Sequence, residues 1–291
     1  MIYLLPLGNG VTKGNSSRSW GTPMNSFWCC YGTAIESFSK LADSIYFKQP
    51  INSTITTKSD NTVAMQSQVP ASLLLARFAD SVVQPTTDTI GLSQAVRVTP
   101  NAISSVMAIT QSLTTVGNQG SLQLLVPSWT ADEYAGIKLL PPIVNGKAPK
   151  ASPSAVTPGT FLTVRPPRPS GWQTGDTIEM EFPCPLKLRK LDDNRTAYGS
   201  MYSFVAGDVL LVGLESQPGA PNSLIVPSAE SLTNLTSWVT VSEASTVSAP
   251  LRFVANVRGH AGGDELQLMP LNEVVHERYT VYYNISVQQQ R

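Results

Sequence analysis

The sequence is poor in the side chains that most often bind transition metals, with two histidines and three cysteines in 291 residues. His260 and His276 lie far apart, and neither has a second ligand at the spacing of a metal site. We therefore expect either a surface role or a loop role with satisfied hydrogen bonds for both. The chain also lacks a glycine-rich phosphate loop, a Gly-X-Ser-X-Gly elbow and a His-Glu-X-X-His motif. These absences argue against nucleotide-phosphate binding, serine-hydrolase catalysis and zincin-type hydrolysis.

Neither sign of charge is in excess, because 20 Lys and Arg balance 20 Asp and Glu. Nucleic acids and anionic membrane surfaces select clustered positive charge, so we expect neither as a partner. No apolar run reaches the roughly 18 residues of a membrane span. Residues 1–7 are apolar but lack a basic flank and contain Pro6, so they do not read as a signal peptide.

Short alternating segments after residue 43 predict a mainly β fold. Segments such as 62–69, 104–113 and 176–182 alternate apolar with polar side chains and are separated by Pro, Gly, Asn and Ser. Many short strands at near-regular spacing are typical of β-sandwiches and jelly rolls. With Pro183-Cys184-Pro185 as the boundary, we expect a middle β-sandwich over 44–185 and a C-terminal β-sandwich over 186–291.

A helix is predicted before these strands. Thr33 and Glu36 have capping-box spacing, which predicts a helix that begins at Ala34. Apolar side chains then recur at three-residue steps and would bury one face: Ile35, Phe38 and Leu41. The capping position is a sufficient structural role for Glu36, although a carboxylate one turn from two thiols is also a candidate base.

Two adjacent cysteines, Cys29 and Cys30, precede this helix. A thiol at a helix N-terminus faces unpaired backbone N–H groups and the positive end of the helix dipole, which favours the thiolate. Thiolates attack carbon and bind metals. The alternative is that both cysteines are buried beside Phe27 and Trp28, as free cysteines often are. We expect Cys184 to be a lone structural thiol.

The remaining candidates have structural explanations. The acid pairs Asp132-Glu133 and Asp192-Asp193 are expected to be solvated turn charges. Trp129 and Trp172 are candidates for stacking on sugar rings, but we expect Trp172 to cap a sandwich core.

Several blocks of the sequence resemble glycoside hydrolase family 127, and more narrowly its plant-type, β-L-arabinofuranosidase-like members. The blocks are residues 1–8, 26–41, 168–178, 268–271 and 277–283. The resemblance implies that the chain is the C-terminal portion of such an enzyme. Residues 1–43 would then be the remnant of a truncated (α/α) helical barrel that ends in the predicted helix.

The resemblance also implies roles for the two cysteines. Cys29 would be the nucleophile of a retaining hydrolase, forming a glycosyl-cysteine intermediate and touching zinc, and Cys30 would be a zinc ligand. The family's other two zinc ligands, a Glu and a Cys two residues apart, and its carboxylate acid/base lie upstream of this region. The implied partners are arabinose-containing glycans or glycoproteins, and we expect residues 1–291 alone to be inactive.

A non-catalytic β-sandwich module that binds carbohydrate or a partner is the alternative function.

Five Asn-X-Ser/Thr sequons favour the secretory pathway or the extracellular space: Asn15, Asn52, Asn194, Asn234 and Asn284.

Overall fold

The structure is a computed structural model. It describes residues 5–15, 19–39, 45–49, 72–75, 81–83, 90–99, 104–114, 120–131, 142–147, 157–246, 248–258, 260 and 263–288. The strand predicted at 62–69, the sequon at Asn52 and the acid pair Asp132-Glu133 lie outside these residues.

The described chain is mainly β, as the sequence predicts, and contains a curled antiparallel sheet. Helix α1 is Cys29–Ser39. The strands are β1 (Tyr46–Gln49), β2 (Ser72–Leu75), β3 (Ser81–Val83), β4 (Leu92–Thr99), β5 (Ser104–Leu113), β6 (Leu122–Leu125), β7 (Ile143–Val144), β8 (Phe161–Val164), β9 (Thr177–Lys190), β10 (Met201–Ala206), β11 (Val209–Glu215), β12 (Ser223–Val226), β13 (Val239–Val241), β14 (Phe253–Asn256), β15 (Glu265–Pro270), β16 (Arg278–Thr280) and β17 (Tyr283–Val287).

Short 3-10 helices occupy several connections: Lys13–Asn15, Ser128–Ala131, Thr196–Tyr198, Ala229–Leu232, Leu235–Ser237 and Leu271–Glu273. In the part of the chain that the structure describes, no helix has the length and hydropathy needed to cross a membrane.

The strands form two sheets. Strands β1, β2, β6 and β8 make a small sheet, and the larger one runs β13-β14-β15-β11-β10-β9-β5-β4-β3. Adjacent strands on that larger path are antiparallel, whereas β2 with β6 and β12 with β17 are parallel pairs.

Strand β9 runs through the segment that the sequence predicts as a break. It pairs with β5 along 177–185 and with β10 along 186–190. The predicted end of the segment 176–182 before Pro183-Cys184-Pro185 is therefore wrong. A proline cannot donate to a β ladder, and these two lie where the strand changes its neighbour. The division into domains at residue 185 stays a prediction.

The buried side chains of β9 divide between two hydrophobic clusters. Ile178, Met180 and Phe182 pack in one cluster with Trp172, and Leu186 packs in the other. Trp172 is fully buried, and its indole Nε1–H donates to the carbonyl of Gly120 at 2.9 Å. Trp172 therefore caps a core, as expected, and is not a surface platform.

A buried carboxylate holds the turn before β9. Asp176 accepts two hydrogen bonds from the Arg168 guanidinium, at 2.8 and 2.9 Å, and others from the Gln173 N–H and the Asn145 amide. The 168–178 block that resembles family 127 thus has a structural function in this chain.

The N-terminal strap, residues 5–15, lies against the C-terminal part of the chain. Val11 and Tyr279 exchange two backbone hydrogen bonds, of 3.1 and 2.8 Å. Gly10 N–H donates to Thr280 Oγ1, and the Tyr279 hydroxyl donates to the carbonyl of Pro6.

Candidate functional site

The two cysteines form the first two positions of α1. The carbonyl of Trp28 accepts hydrogen bonds from the N–H groups of Tyr31, at 2.9 Å, and Gly32, at 3.4 Å, so the helix begins at Cys29. The predicted start at Ala34 is wrong by five residues. The thiols still lie at the helix N-terminus, where the dipole favours an anion.

The predicted capping box does not form. Thr33 lies inside the helix, where its hydroxyl donates back to the carbonyl of Cys29 at 3.4 Å. Glu36 is exposed on the next turn. The hydroxyl of a threonine or serine can donate such a bond to the preceding turn, so these residues are found inside helices as well as at the N-cap.

Both thiols are exposed, so the alternative that they are buried beside Phe27 and Trp28 is wrong. Phe27 is itself 84% exposed, and the predicted apolar face of α1 includes Ile35, which is 62% exposed. Cys184, in contrast, is buried, and its Sγ lies 3.9 Å from the carbonyl oxygen of Phe182. That environment fits the expected structural thiol.

The sulfur atoms have the separation that two ligands of one zinc ion need. Cys29 Sγ and Cys30 Sγ are 3.8 Å apart. In a tetrahedral thiolate site with Zn–S bonds near 2.3 Å, two sulfurs are about 3.8 Å apart. The pair therefore fits half of a four-coordinate zinc site.

The other half has no candidates near the thiols among the described residues. No group of three or more Cys, His, Asp or Glu side chains is placed to hold a metal in this part of the chain. His276 is exposed, as expected.

Of the two roles expected for His260, the structure shows the loop role with a satisfied hydrogen bond and not the surface role. Its Nε2 lies 2.9 Å from Glu215 Oε2, and the side chains are 3% and 1% exposed. The hydroxyl of Tyr283 donates to the other carboxylate oxygen at 2.9 Å. Burial and the Glu215 carboxylate raise the pKa of Tyr283 well above its ordinary value. Sequence spacing gave no signal for this cluster, because its members come from three distant segments.

A second candidate site is a cleft of about 1190 Å³ along β9 and β10, which we name the β9–β10 cleft. Its lining combines aromatic rings, cations and hydroxyls: Ser128, Trp129, Lys187, Leu188, Arg189, Lys190, Leu191, Asp192, Tyr202, Ser203, Val205, Gly207, Asp208, Leu210, Ala229, Leu232, Thr233 and Tyr282. None of these residues belongs to the strap or to α1.

Comparison with protein-family models and with curated proteins found no match. Among solved structures, the chain is similar to a GH127 β-L-arabinofuranosidase from Geobacillus stearothermophilus T6, with 16% identity and a TM-score of 0.51. The match covers 91% of this chain and 39% of that one. This chain therefore spans about two fifths of the length of that enzyme, and the likeness shows a GH127-like fold.

Two further solved structures match less of the chain. The GH127 β-arabinofuranosidase BT3674 has 14% identity and a TM-score of 0.46, over 75% of this chain and 36% of that one. A glycoside hydrolase has 15% identity and a TM-score of 0.42, over 74% and 36%.

Proposed function

We propose that the chain is the C-terminal part of a zinc-dependent, retaining β-L-arabinofuranosidase of the plant-type family 127 kind. Cys29 is the nucleophile and also contacts zinc, and Cys30 is a zinc ligand. The remaining two ligands and the acid/base come from polypeptide outside residues 1–291, so these residues alone are inactive. The observation that carries the proposal is the exposed thiol pair, with a sulfur separation of 3.8 Å at a helix N-terminus.

Cys29 attacks the anomeric carbon of a terminal arabinofuranoside as the thiolate. The bond from that carbon to the glycosidic oxygen breaks, the oxygen takes a proton from the acid, and a glycosyl-cysteine forms. Water then gives a proton to the conjugate base of that acid and attacks the same carbon. The carbon–sulfur bond breaks, Cys29 returns to the thiolate, and the sugar leaves with retained configuration. Zinc held by Cys29 and Cys30 would keep the thiols deprotonated.

Exposed apolar side chains around α1 support contact with further polypeptide. The exposed fractions of Met24, Phe27 and Ile35 are 76%, 84% and 62%. Exposed apolar side chains mark interaction surfaces when they form a contiguous patch. In the proposed enzyme they pack against the rest of an (α/α) helical barrel that α1 completes, and two jelly-roll-like β-sandwiches follow it.

The test uses the intact protein from its natural source and measures zinc content and thiol alkylation. We expect about one zinc ion per chain and slow alkylation of Cys29 and Cys30 that becomes fast after chelation. Cys30→Ser should lower the zinc content, whereas Cys184→Ser, at the buried thiol, should not. Zinc-free protein, or alkylation that chelation does not change, would refute the proposal.

A second candidate function is non-catalytic carbohydrate binding, which the β9–β10 cleft favours. Trp129 lines the cleft and is half-buried, so part of its ring is accessible. Aromatic rings in clefts are platforms on which sugar rings stack. Glycan binding that Trp129→Ala removes while turnover persists would support this function.

The proposed partners are arabinose-containing glycans or glycoproteins outside the cytosol. Asn194, Asn234 and Asn284 are exposed. Mass spectrometry of glycopeptides from the native protein tests this location, and unmodified asparagine at all five sequons would count against it.

A further inference from the structure

The floor of the β9–β10 cleft carries two cations on one face of β9. Lys187 and Arg189 are two residues apart, so their side chains leave the strand on the same side. Their partners across the ladder are Val205 and Ser203, which line the cleft and are buried. Both partners have shorter side chains than Lys187 and Arg189, so they leave room beside the two cationic side chains.

Aromatic side chains border this floor. Tyr282 is half-buried and lines the cleft together with Leu210, the cross-strand partner of Val205. Trp129 packs edge-on against Phe182, with ring centroids 6.5 Å apart. A Cβ at residue 207 would lie 3.4 Å from Trp129 Cε3, so the indole rests on the backbone of Gly207. The tryptophan is thereby fixed in place while part of it stays accessible.

The ionic groups of the cleft favour an anionic ligand. Three cations line it, Lys187, Arg189 and Lys190, against two carboxylates, Asp192 and Asp208. Arginine binds carboxylates through two parallel N–H···O bonds, which makes it a selective group for acidic ligands. A volume of about 1190 Å³ exceeds that of a pocket for one small molecule, which is roughly 300–1000 Å³.

We propose that the β9–β10 cleft binds an acidic glycan, a chain of several sugar units that carries uronate carboxylates. Lys187 and Arg189 pair with the carboxylates, and Trp129 and Tyr282 contact the sugar rings. This inference rests on the second candidate function, glycan binding, and adds the charge of the ligand. It does not depend on the thiol pair.

The experiment titrates the full chain with tetragalacturonate and with its fully methyl-esterified form, by calorimetry at low and moderate salt. The two probes share one sugar chain and differ in charge. We expect binding of the acid form that weakens with salt, and at least about tenfold weaker binding of the ester. Arg189→Gln and Lys187→Gln should each weaken the acid form by about tenfold.

Lys147→Gln is the matched control, since Lys147 is exposed and does not line the cleft. It should leave the affinity unchanged. Equal binding of the two probes would overturn the acidic preference and leave glycan binding standing. Absence of binding to either probe would overturn both the acidic preference and glycan binding. Equal losses of affinity in the Arg189→Gln and Lys147→Gln variants would overturn the assignment of the site to this cleft.

Discussion

The ammonium of Lys13 donates a hydrogen bond of 2.7 Å to the carbonyl oxygen of Leu271, 258 residues further along the chain. It donates a second, of 2.6 Å, to the carbonyl of Val274. Lys13 is only 8% exposed, and burial lowers its pKa, an effect that the Glu277 carboxylate partly offsets. This lysine therefore fastens the N-terminal strap to the C-terminal part of the chain.

Lys13→Met should destabilise the protein by about 2 kcal/mol, because it removes both buried hydrogen bonds of the ammonium. The carbonyl of Val274 loses this donor, whereas the carbonyl of Leu271 keeps the Val274 N–H at 3.3 Å. Thermal unfolding measures the loss, and limited proteolysis should release the strap faster. Lys147→Met, at an exposed lysine, is the control. Equal shifts in the two variants would mean that Lys13 does not fasten the strap.

Gly213→Ala should destabilise the protein by about 3 kcal/mol through overpacking. A Cβ at residue 213 would overlap the hydroxyl of Tyr283 and lie 2.7 Å from Leu266 Cδ1. Tyr283→Phe alone should also cost stability, because Glu215 loses its hydroxyl partner. The double variant should lose less than the sum of the two single losses. Additive losses in denaturant unfolding would contradict the close packing of residues 213 and 283.

Asp176→Asn should destabilise the protein by about 2 kcal/mol near neutral pH, since it breaks a charge-assisted network. Arg168 keeps 38% of its side chain exposed, so solvent screening limits the effect. The pKa of Asp176 lies below its ordinary value of 3.8. The largest cause is the hydrogen bonding from Arg168, burial acts in the opposite direction, and the smaller contributions of Gln173 and Asn145 lower the pKa further.

The lowered pKa of Asp176 fixes the direction of the pH dependence. Its contribution to stability is fully present above pH 3.8 and is lost as the pH falls through the folded-state value. The difference in melting temperature between the natural protein and Asp176→Asn should therefore shrink below pH 3.8. A difference that persists at the lowest pH would contradict this, and Asp264→Asn, at an exposed carboxylate, should show little difference at any pH.

The sequence predicted the β class and the burial of Trp172, because both depend on local patterns. It did not predict where α1 begins. Gly32 inside a first turn costs roughly 1 kcal/mol relative to alanine, and Thr33 with Glu36 imitates a cap, so local preferences placed the start too late. The structure also extends the helix to include Cys29 and Cys30.

The remaining differences depend on tertiary contacts. Pro183 and Pro185 predict a break when taken alone, but β9 passes through them because a different strand pairs on each side. The sequence left a surface role and a satisfied loop role open for His260, and the fold, which brings Glu215 to it, decides for the second. The thiol pair could be found from sequence, since the two residues are adjacent. The distance between their sulfur atoms and the exposure of their side chains could not be predicted from the sequence.

The most direct test is the turnover of a terminal β-L-arabinofuranoside by the intact protein from its source, compared with its Cys29→Ser and Cys184→Ser variants. Cys29→Ser should lower turnover by at least about 1000-fold because it removes the nucleophile. Cys184→Ser should retain turnover, since that buried thiol lies outside the proposed site. Full turnover in Cys29→Ser would contradict the assignment of Cys29 as the nucleophile.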